Sequence, residues 1–312
     1  MSALRNFFRS ILPDTLLNAY RESKKNKQRK RIRDQEAKGK GISLEDLVRD
    51  FKNCGLQEGD SVLVHSSFSK IGFVQGGAKT FVNALLQVIG PEGNLLMPSS
   101  PNAGYQLDYI RNLRVFDVAN DPSKMGAITE YFRKLPGVKR SESPTEPVCC
   151  FGPKAEWFTS GHLGELTPYT EKSPFARLAE AKGKILYIGV TLDNAGTSLH
   201  VSEDAIPYFR YPVYYPEVFQ TEVIRETGER VSVSLKVHNP EQSAKRKCDE
   251  LLPLFEEKGV MQEKRIGQAR TLVFDAFQMQ ETLIAVYFES GITIYTPKGE
   301  EKVKLSGSQS AD

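Results

Sequence analysis

The chain has 312 residues; 39% are hydrophobic and 26% are charged, with 17 Phe and 12 Tyr among them. This composition supports a large core and excludes a wholly disordered chain, and the length suits one large domain or two ordinary ones. No run of about 18 apolar residues occurs, which excludes a transmembrane helix, and we find no pattern typical of a secretory signal. We therefore expect a soluble cytoplasmic protein.

The four cysteines form no Cys-x-x-Cys pair and no cluster with histidine. They are Cys54, Cys149, Cys150 and Cys248. Structural zinc sites need closely spaced Cys and His ligands, and disulfide frameworks are typical of small secreted chains. The sequence therefore predicts neither a metal site nor a disulfide framework.

Charge is distributed unevenly along the chain. Residues 1–40 hold 12 Lys and Arg against 4 Asp and Glu, a net charge of +8, whereas the rest of the chain carries −5. A protein that binds nucleic acid usually spreads basic side chains over its folded domain, so we expect no nucleic-acid partner. We divide the chain into a basic N-terminal extension at 1–42, a folded domain at 43–302 and a disordered tail at 303–312.

The N-terminal extension combines an apolar helical pattern at 4–20 with a basic stretch at 21–40. One interpretation is a surface helix that packs on its own domain or on a second copy, which would make a homodimer. The alternative is a weak contact with a membrane surface, because an apolar face beside a polybasic stretch suits interfacial binding. The sequence leaves both open.

From Ser43 onward the pattern is that of an α/β fold. Ser43 is a typical N-cap, and Gly90-Pro91 is a strong stop signal. In chain order we predict a helix from Ser43 to near Gly55, a strand at 61–67, a helix at 76–89, a strand at 94–99, a loop at 100–124 and a helix at 125–135. A loop of that length without secondary structure of its own is often functional.

The second half of the chain is richer in strand patterns. We predict a strand at 184–190, a hairpin around Gly228, a helix at about 241–258, and strands at 271–278, 282–290 and 291–296.

The first group of candidate site residues follows the strand at 61–67. That strand places His65, Ser66 and Ser67 at its carboxyl end, where the sites of α/β proteins form. Gly76-Gly77 then begins a helix, whose free N–H groups and dipole favour an anion such as a pyrophosphate. The alternative is that the two glycines form only a turn.

Two familiar phosphate motifs are excluded. The segment from Gly72 to Lys79 resembles a P-loop, but Ala78 separates the second glycine from the lysine that must reach the phosphates. No Gly-x-Gly-x-x-Gly follows a strand, so a Rossmann dinucleotide site is unsupported.

The second group lies after the strand at 184–190. Thr197, His200 and Glu203 are spaced three residues apart, so neighbouring members of the series lie on one helical face. A carboxylate beside an imidazole fixes its tautomer and increases its basicity, as a general base requires. The alternative is a buried structural histidine.

Four blocks of sequence resemble the aminoglycoside 3-N-acetyltransferase family. They lie at 59–100, 116–144, 173–190 and 196–203. The resemblance covers residues 43–210 in order, weakens in the last third and does not include the first 40 residues. It implies a single-domain α/β fold with a mixed β-sheet flanked by helices, and transfer of acetyl from acetyl-CoA to a sugar amine.

The resemblance also assigns roles to residues. The family's Leu-His-x-x-Glu segment matches Leu199 to Glu203, which implies that His200 is the base and Glu203 its partner. The loop after His65, with Gly76, Gly77 and Ala78, would form the wall on the coenzyme A side. From the chemistry, we expect Thr197 or the backbone N–H groups near Ser66 and Ser67 to stabilise the oxyanion.

Two departures from the family pattern concern the acceptor. Gly196-Thr197 stands where the family has Asn-Thr, and Ser143 stands where Arg-Ser-x-His-Pro has its histidine. Four aromatic or basic residues also lie in segments that should adjoin the site: Tyr105, Arg111, Arg114 and Arg210. Aromatic stacking and arginine suit a base and a diphosphate better than a polyamine.

We therefore expect a nucleotide-linked amino sugar of surface polysaccharide (O-antigen or capsule) biosynthesis as acceptor. The alternative is an aminoglycoside 3-N-acetyltransferase that confers antibiotic resistance. A covalent route through Cys149 or Cys150 is less favoured, because no histidine lies nearby in the sequence and buried cysteine is the common case. A non-catalytic binding protein is the remaining class.

Overall fold

The computed structural model describes residues 41–299 without a gap, together with residues 22–23, 26–27, 30–31, 33–34, 36–37 and 39. The predicted apolar helix at 4–20 and the predicted tail at 303–312 lie outside the described residues.

Short helices surround the sheets. They are α1 (Leu44–Asn53), α2 (Phe68–Ile71), α3 (Gly77–Ile89), α4 (Gln106–Asn112), α5 (Ala127–Arg133), α6 (Ala155–Thr159), α7 (Pro174–Glu180), α8 (Leu192–Ala195), α9 (His200–Ala205), α10 (Pro240–Ser243), α11 (Leu252–Glu257) and α12 (Ala276–Ser290). Single 3₁₀ turns lie at Thr197–Leu199 and Cys248–Leu251. Within the described residues, every helix is too short or too polar to cross a membrane.

The strands form two sheets. They are β1 (Ser61–Ser66), β2 (Asn94–Pro98), β3 (Val115–Asp117), β4 (Lys139–Arg140), β5 (Val148–Phe151), β6 (Lys184–Ile188), β7 (Phe219–Ile224), β8 (Arg230–Leu235), β9 (Met261–Ile266) and β10 (Ala269–Asp275). The large sheet has the order β4-β5-β2-β1-β6-β10-β9, and the small one has the order β3-β7-β8. β1 pairs in parallel with β2 and β6, while the outer pairs of the large sheet are antiparallel.

The central strands are buried on both faces, which explains why they read as continuous apolar runs. Alternate residues of β1 face opposite core layers: Val62 packs with α1 and α3, and Leu63 packs with α7 and α12. The predicted mixed α/β sheet flanked by helices is confirmed.

Local signals at α1 and α3 act as the sequence predicts. The Ser43 hydroxyl accepts from the Asp46 N–H, and the Asp46 carboxylate accepts from the Ser43 N–H, so a complete capping box begins α1. Gly76 adopts a left-handed conformation (φ 75°) immediately before α3. A Cβ on Gly76 would also lie 2.4 Å from Thr80 Oγ1, so this turn requires glycine.

Three predicted segments are wrong. The loop predicted at 100–124 contains α4 and β3, because β3 pairs with the distant strand β7 to extend the small sheet. The single helix predicted at 241–258 is broken into α10, a 3₁₀ turn and α11, since Pro253 lacks the N–H of a helix interior and stands in the first turn of α11.

The third correction concerns the end of the chain. Residues 282–290 lie in α12 and not in a strand, and the residues at 291–296 are irregular. Their β-branched and aromatic residues favour a strand locally, but the Asp275 carboxylate caps the helix, and Met279, Leu283 and Val286 pack into the core at helical spacing. Tertiary burial therefore overrides local propensity.

Candidate active site

The site is centred on a histidine and a glutamate one turn apart on α9. His200 Nδ1 lies 2.5 Å from Glu203 Oε2, and both side chains are buried. From the carboxyl end of β6, a central strand, the chain runs through α8 and the 3₁₀ turn directly into α9. Because the carboxylate engages Nδ1, the other ring nitrogen, Nε2, is left to act on a substrate.

Aromatic rings surround this pair. The ring of His238 lies 4.4 Å from that of His200 and is flanked by Tyr169 and Tyr214, both at 5.4 Å. Tyr214 also donates to Asp204, which follows Glu203 on α9. The packing holds the imidazole of His200 in a fixed orientation, as a general base requires.

A cavity of about 100 Å³, which we call the pit, opens beside His200. Its walls come from residues 192–197 and from side chains brought in by other segments: Glu146, Tyr169, His200, His238, Arg246 and Cys248. Several buried polar atoms of these walls have no hydrogen-bond partner among the described residues: the Tyr169 hydroxyl, Thr197 Oγ1, His238 Nε2, and Nε and Nη2 of Arg246. The pit therefore offers donors and acceptors to a small polar group.

Burial determines the protonation states of the ionisable side chains in and beside the pit. Burial, reinforced by the charge of Arg246, holds the pKa of His200 well below its ordinary value, so the imidazole is neutral. Burial raises the pKa of Glu203 to about 8, with Arg246 opposing the shift. Burial also raises the pKa of Glu146 to about 7, against a hydrogen bond from Gln106. At neutral pH the His200–Glu203 pair therefore holds one proton more than a neutral imidazole and a carboxylate would hold.

The predicted residues on the coenzyme A side lie at the carboxyl end of β1 and the start of α3. His65 is buried and stacks on Tyr187 at 4.9 Å, and burial lowers its pKa to about 3. Ser66 and Ser67 are partly buried, and Gly76, Gly77 and Ala78 form the turn into α3. None of these six residues lines the pit, so their contact with coenzyme A stays a prediction.

A basic recess of about 650 Å³ lies beside these residues. Its side chains include four cations, Arg31, Lys70, Arg265 and Arg270, and no carboxylate among the described residues. Gly189, Val190 and Thr191 form its edge, and the chain continues from there directly into the wall of the pit at 192–197. One segment therefore borders both the recess and the pit.

An open cleft of about 990 Å³ lies on the other flank of the catalytic pair, bordered by Glu203, Tyr169 and Tyr214. Six carboxylate side chains line this acidic cleft, against one lysine: Glu165, Glu171, Glu180, Glu203, Asp204 and Glu281, with Lys172. Lys172 is already paired with Glu165 at 2.9 Å. The cleft therefore favours a cationic molecule.

The four residues predicted to bind the acceptor lie elsewhere. Arg111 donates to the Tyr215 hydroxyl and stacks on that ring, and Arg210 lies over the ring of Tyr287. Tyr105 and Arg114 are exposed. None of the four lines the pit, the basic recess or the acidic cleft, so their role stays a prediction.

Both segments that hold these residues do reach the site, through other side chains. Gln106 donates to Glu146 in the wall of the pit and accepts from the His238 N–H, and Tyr214 packs on His238. The sequence pattern identified the segments but missed Glu146, His238 and Arg246. A weak signal existed for two of them: Glu146 follows the block where the histidine is replaced, and His238 is among only four histidines.

All four cysteines are buried thiols. Burial raises the pKa of Cys149 to about 11 and that of Cys150 further, which suppresses the thiolate needed for a covalent route. Within the described residues, no group of three or more His, Cys, Asp or Glu side chains is arranged to hold a metal ion.

Comparison with known proteins identifies the family of this chain. The sequence profile described as aminoglycoside 3-N-acetyltransferase matches residues 63–287. The chain belongs to this family. The match includes most of β1, the residues that line the pit and both members of the His200–Glu203 pair.

A curated relative is the SPbeta prophage-derived aminoglycoside N(3′)-acetyltransferase-like protein YokD of Bacillus subtilis (strain 168). It is 33% identical over 178 residues, which cover 52% of this chain and 65% of the relative. The aligned segment thus spans slightly less than two thirds of that protein.

Two solved structures of the family share the fold. AAC-IIIb in a binary complex with CoASH has a TM-score of 0.67 at 25% identity and covers 79% of this chain and 96% of its own. Sisomicin-bound AAC-VIa has a TM-score of 0.67 at 25% identity and covers 80% of this chain and 98% of its own.

Proposed function

We propose that this protein transfers the acetyl group of acetyl-CoA to an amine of a polycationic amino sugar of the aminoglycoside class. The observation that carries the proposal is the buried His200–Glu203 pair, whose histidine lines a pit large enough for an acetyl group and an amine. The two larger depressions beside it have opposite charge. One suits a phosphorylated donor and the other a cationic acceptor.

The donor would lie along the segment from Gly189 to Thr197. Coenzyme A carries phosphate groups at one end and the thioester at the other. The basic recess would hold the phosphates through Lys70, Arg265 and Arg270, and the thioester would reach the pit. A family member that binds CoASH supports this choice of donor.

The acceptor would lie in the acidic cleft, with one amine directed past Glu203 to the pit. His200 Nε2 takes a proton from the attacking nitrogen, the new C–N bond forms at the thioester carbonyl, and the C–S bond breaks as coenzyme A leaves. The proton passes to the departing sulfur, so the products are an acetamide and free coenzyme A. Glu203 orients the imidazole during both transfers.

This acceptor replaces the nucleotide-linked amino sugar that the sequence favoured. The relatives are named for aminoglycosides, and one structure contains sisomicin. The arginines offered for a diphosphate line neither the pit nor the cleft, whereas carboxylates line the cleft. An anionic sugar nucleotide would meet repulsion there.

The test is release of coenzyme A from acetyl-CoA with a panel of acceptors. The panel contains 2-deoxystreptamine aminoglycosides, neutral mono-amino sugars and nucleotide-linked amino sugars. We expect the highest kcat/KM for an aminoglycoside, with loss of activity in His200→Ala. Faster acetylation of a nucleotide-linked sugar would contradict the proposed acceptor, and release with no acceptor above the His200→Ala background would contradict the proposed activity.

A further inference from the structure

Arg246 is a cation in the pit. It is not among the site residues predicted from the sequence, and the proposed acetyl transfer assigns it no role. It lies between α10 and the 3₁₀ turn at Cys248–Leu251, and its side chain lines the pit together with His200 and Thr197. The Nε and Nη2 atoms are shielded from solvent and have no partner at hydrogen-bond geometry among the described residues, although the Tyr295 hydroxyl lies close enough to interact with the guanidinium.

Leaving these N–H groups of Arg246 unpaired costs free energy unless a ligand accepts their hydrogen bonds. A buried N–H without an acceptor loses its hydration and gains nothing in return, and the cost is greater on a charged group. Glu146 and Glu203 lie close enough to interact electrostatically with Arg246, yet neither accepts from Nε or Nη2. Because Arg246 lines the pit, a negative group that arrives there would meet the guanidinium.

The size of the pit limits which negative group this is. A cavity of about 100 Å³ has the volume of roughly three liquid water molecules, at about 30 Å³ each. It admits an acetyl carbonyl and an attacking amine. The basic recess, at about 650 Å³, offers more room and more positive charge for a larger anion such as a diphosphate.

We propose that Arg246 is a catalytic residue that stabilises the oxyanion of the tetrahedral intermediate, an assignment that rests on the proposed acetyl transfer. When the amine nitrogen bonds to the thioester carbon, the π pair of the carbonyl moves onto oxygen, and this oxygen accepts a hydrogen bond from the guanidinium of Arg246. Collapse restores the carbonyl, and the C–S pair leaves on sulfur, which takes the proton carried by His200.

A fixed cation suits this role once the bound substrates have displaced water from the pit. Charge that develops on the oxygen is stabilised without reorganisation of solvent, and the low local dielectric strengthens the interaction. Thr197 Oγ1, which is also unpartnered among the described residues and lines the pit, is positioned to supply a second donor. Thr197 and Arg246 would therefore stabilise the oxyanion together, and the charged Arg246 is the stronger donor of the two.

The first experiment measures steady-state kinetics of Arg246→Met and Arg246→Lys, with Lys245→Met as the control at an exposed neighbouring cation. We expect Arg246→Met to lower kcat about 100- to 1,000-fold, the loss typical of an oxyanion donor, with little change in the KM for acetyl-CoA. Arg246→Lys should retain part of the rate. An unchanged kcat with a raised KM for the acceptor would overturn the proposal in favour of substrate anchoring.

The second experiment needs no turnover. S-carboxymethyl-CoA places a carboxylate near the position of the acetyl oxygen, and S-carbamidomethyl-CoA is its neutral analogue. By calorimetry we expect the wild-type protein to bind the charged analogue roughly 10-fold more tightly or better, and Arg246→Met to lose that preference. Equal affinities in the wild type would overturn the assignment while leaving acetyl transfer intact. Failure of coenzyme A itself to bind would contradict the proposed function and this assignment with it.

Discussion

The rings of His200 and His238 lie 4.4 Å apart, although the two residues come from different parts of the chain. His200 follows the central strand β6, and His238 follows the hairpin of the small sheet. Burial is the first cause of the low pKa of His238, and the neighbouring His200 and Arg246 add to it. Two neutral imidazoles therefore share the pit, but only His200 has a carboxylate at hydrogen-bond distance.

The first prediction concerns the base. His200→Ala should lower kcat by roughly two to four orders of magnitude, as removal of a general base does. Binding of coenzyme A should persist, because the basic recess does not include His200. Kinetics and calorimetry on the same preparation check both parts. Near-normal turnover in the variant would refute the assignment, and His238→Gln is the control for a neighbouring imidazole.

The second prediction concerns pH. Because Glu203 has a pKa of about 8, the His200–Glu203 pair retains a proton below that pH. When the pair loses it, Nδ1–H donates to the carboxylate and Nε2 is free to accept. The value of kcat/KM should therefore rise with pH through about 8 and then level off.

Glu203→Gln tests the origin of that step. The amide does not titrate, so the rise near pH 8 should disappear, and the rate should fall less than in His200→Ala. Asp204→Asn is the control, since Asp204 bonds to Thr167 and Tyr214 and not to His200. A loss in Glu203→Gln equal to that of His200→Ala would mean that Glu203 has a more direct role than orientation.

The third prediction concerns the acidic cleft. Glu171→Gln and Glu281→Gln should each raise the KM for an aminoglycoside by roughly 1.5- to 5-fold, the range of an exposed ion pair. The effect should diminish as salt is added. Glu289→Gln removes an exposed carboxylate of α12 outside the cleft and should change nothing. If all three variants kept the KM of the wild-type protein, the acceptor would bind outside the acidic cleft.

The fourth prediction concerns the N-terminal extension. Deletion of residues 1–40 should leave a folded, active domain, because the bridge from Ile42 to Val74 and the capping box of Ser43 lie outside the deleted segment. The KM for acetyl-CoA should rise slightly, since Arg31 lines the basic recess.

A longer deletion through residue 43 is the comparison. It removes the bridge and the N-cap, and loss of the cap alone lowers the free energy of unfolding by roughly 0.5–2 kcal/mol. Thermal unfolding of both truncated chains measures the difference. Unfolding of the chain that begins at residue 41 would show that the extension is part of the core or of an interface between copies.

Local signals in the sequence are enough to predict several of the elements. The cap at Ser43, the turn at Gly76-Gly77 and the apolar runs of β1 and β6 depend on neighbours within a few residues, and so does the spacing of His200 and Glu203 on one helical turn. Apart from Ser43, these residues lie in the blocks that resemble the acetyltransferase family.

Only the tertiary structure decided what surrounds that pair. Arg246, Glu146 and His238 enter the pit from segments far apart in the chain, and no periodicity or spacing connects them with His200. Helix α12 forms against the strand propensity of its own residues because the core buries one of its faces. The carboxylates of the acidic cleft likewise lie on α7, α9, α12 and the loop before α7. These carboxylates form one negatively charged surface only when packing brings those elements together. That surface is the reason why we propose a cationic acceptor.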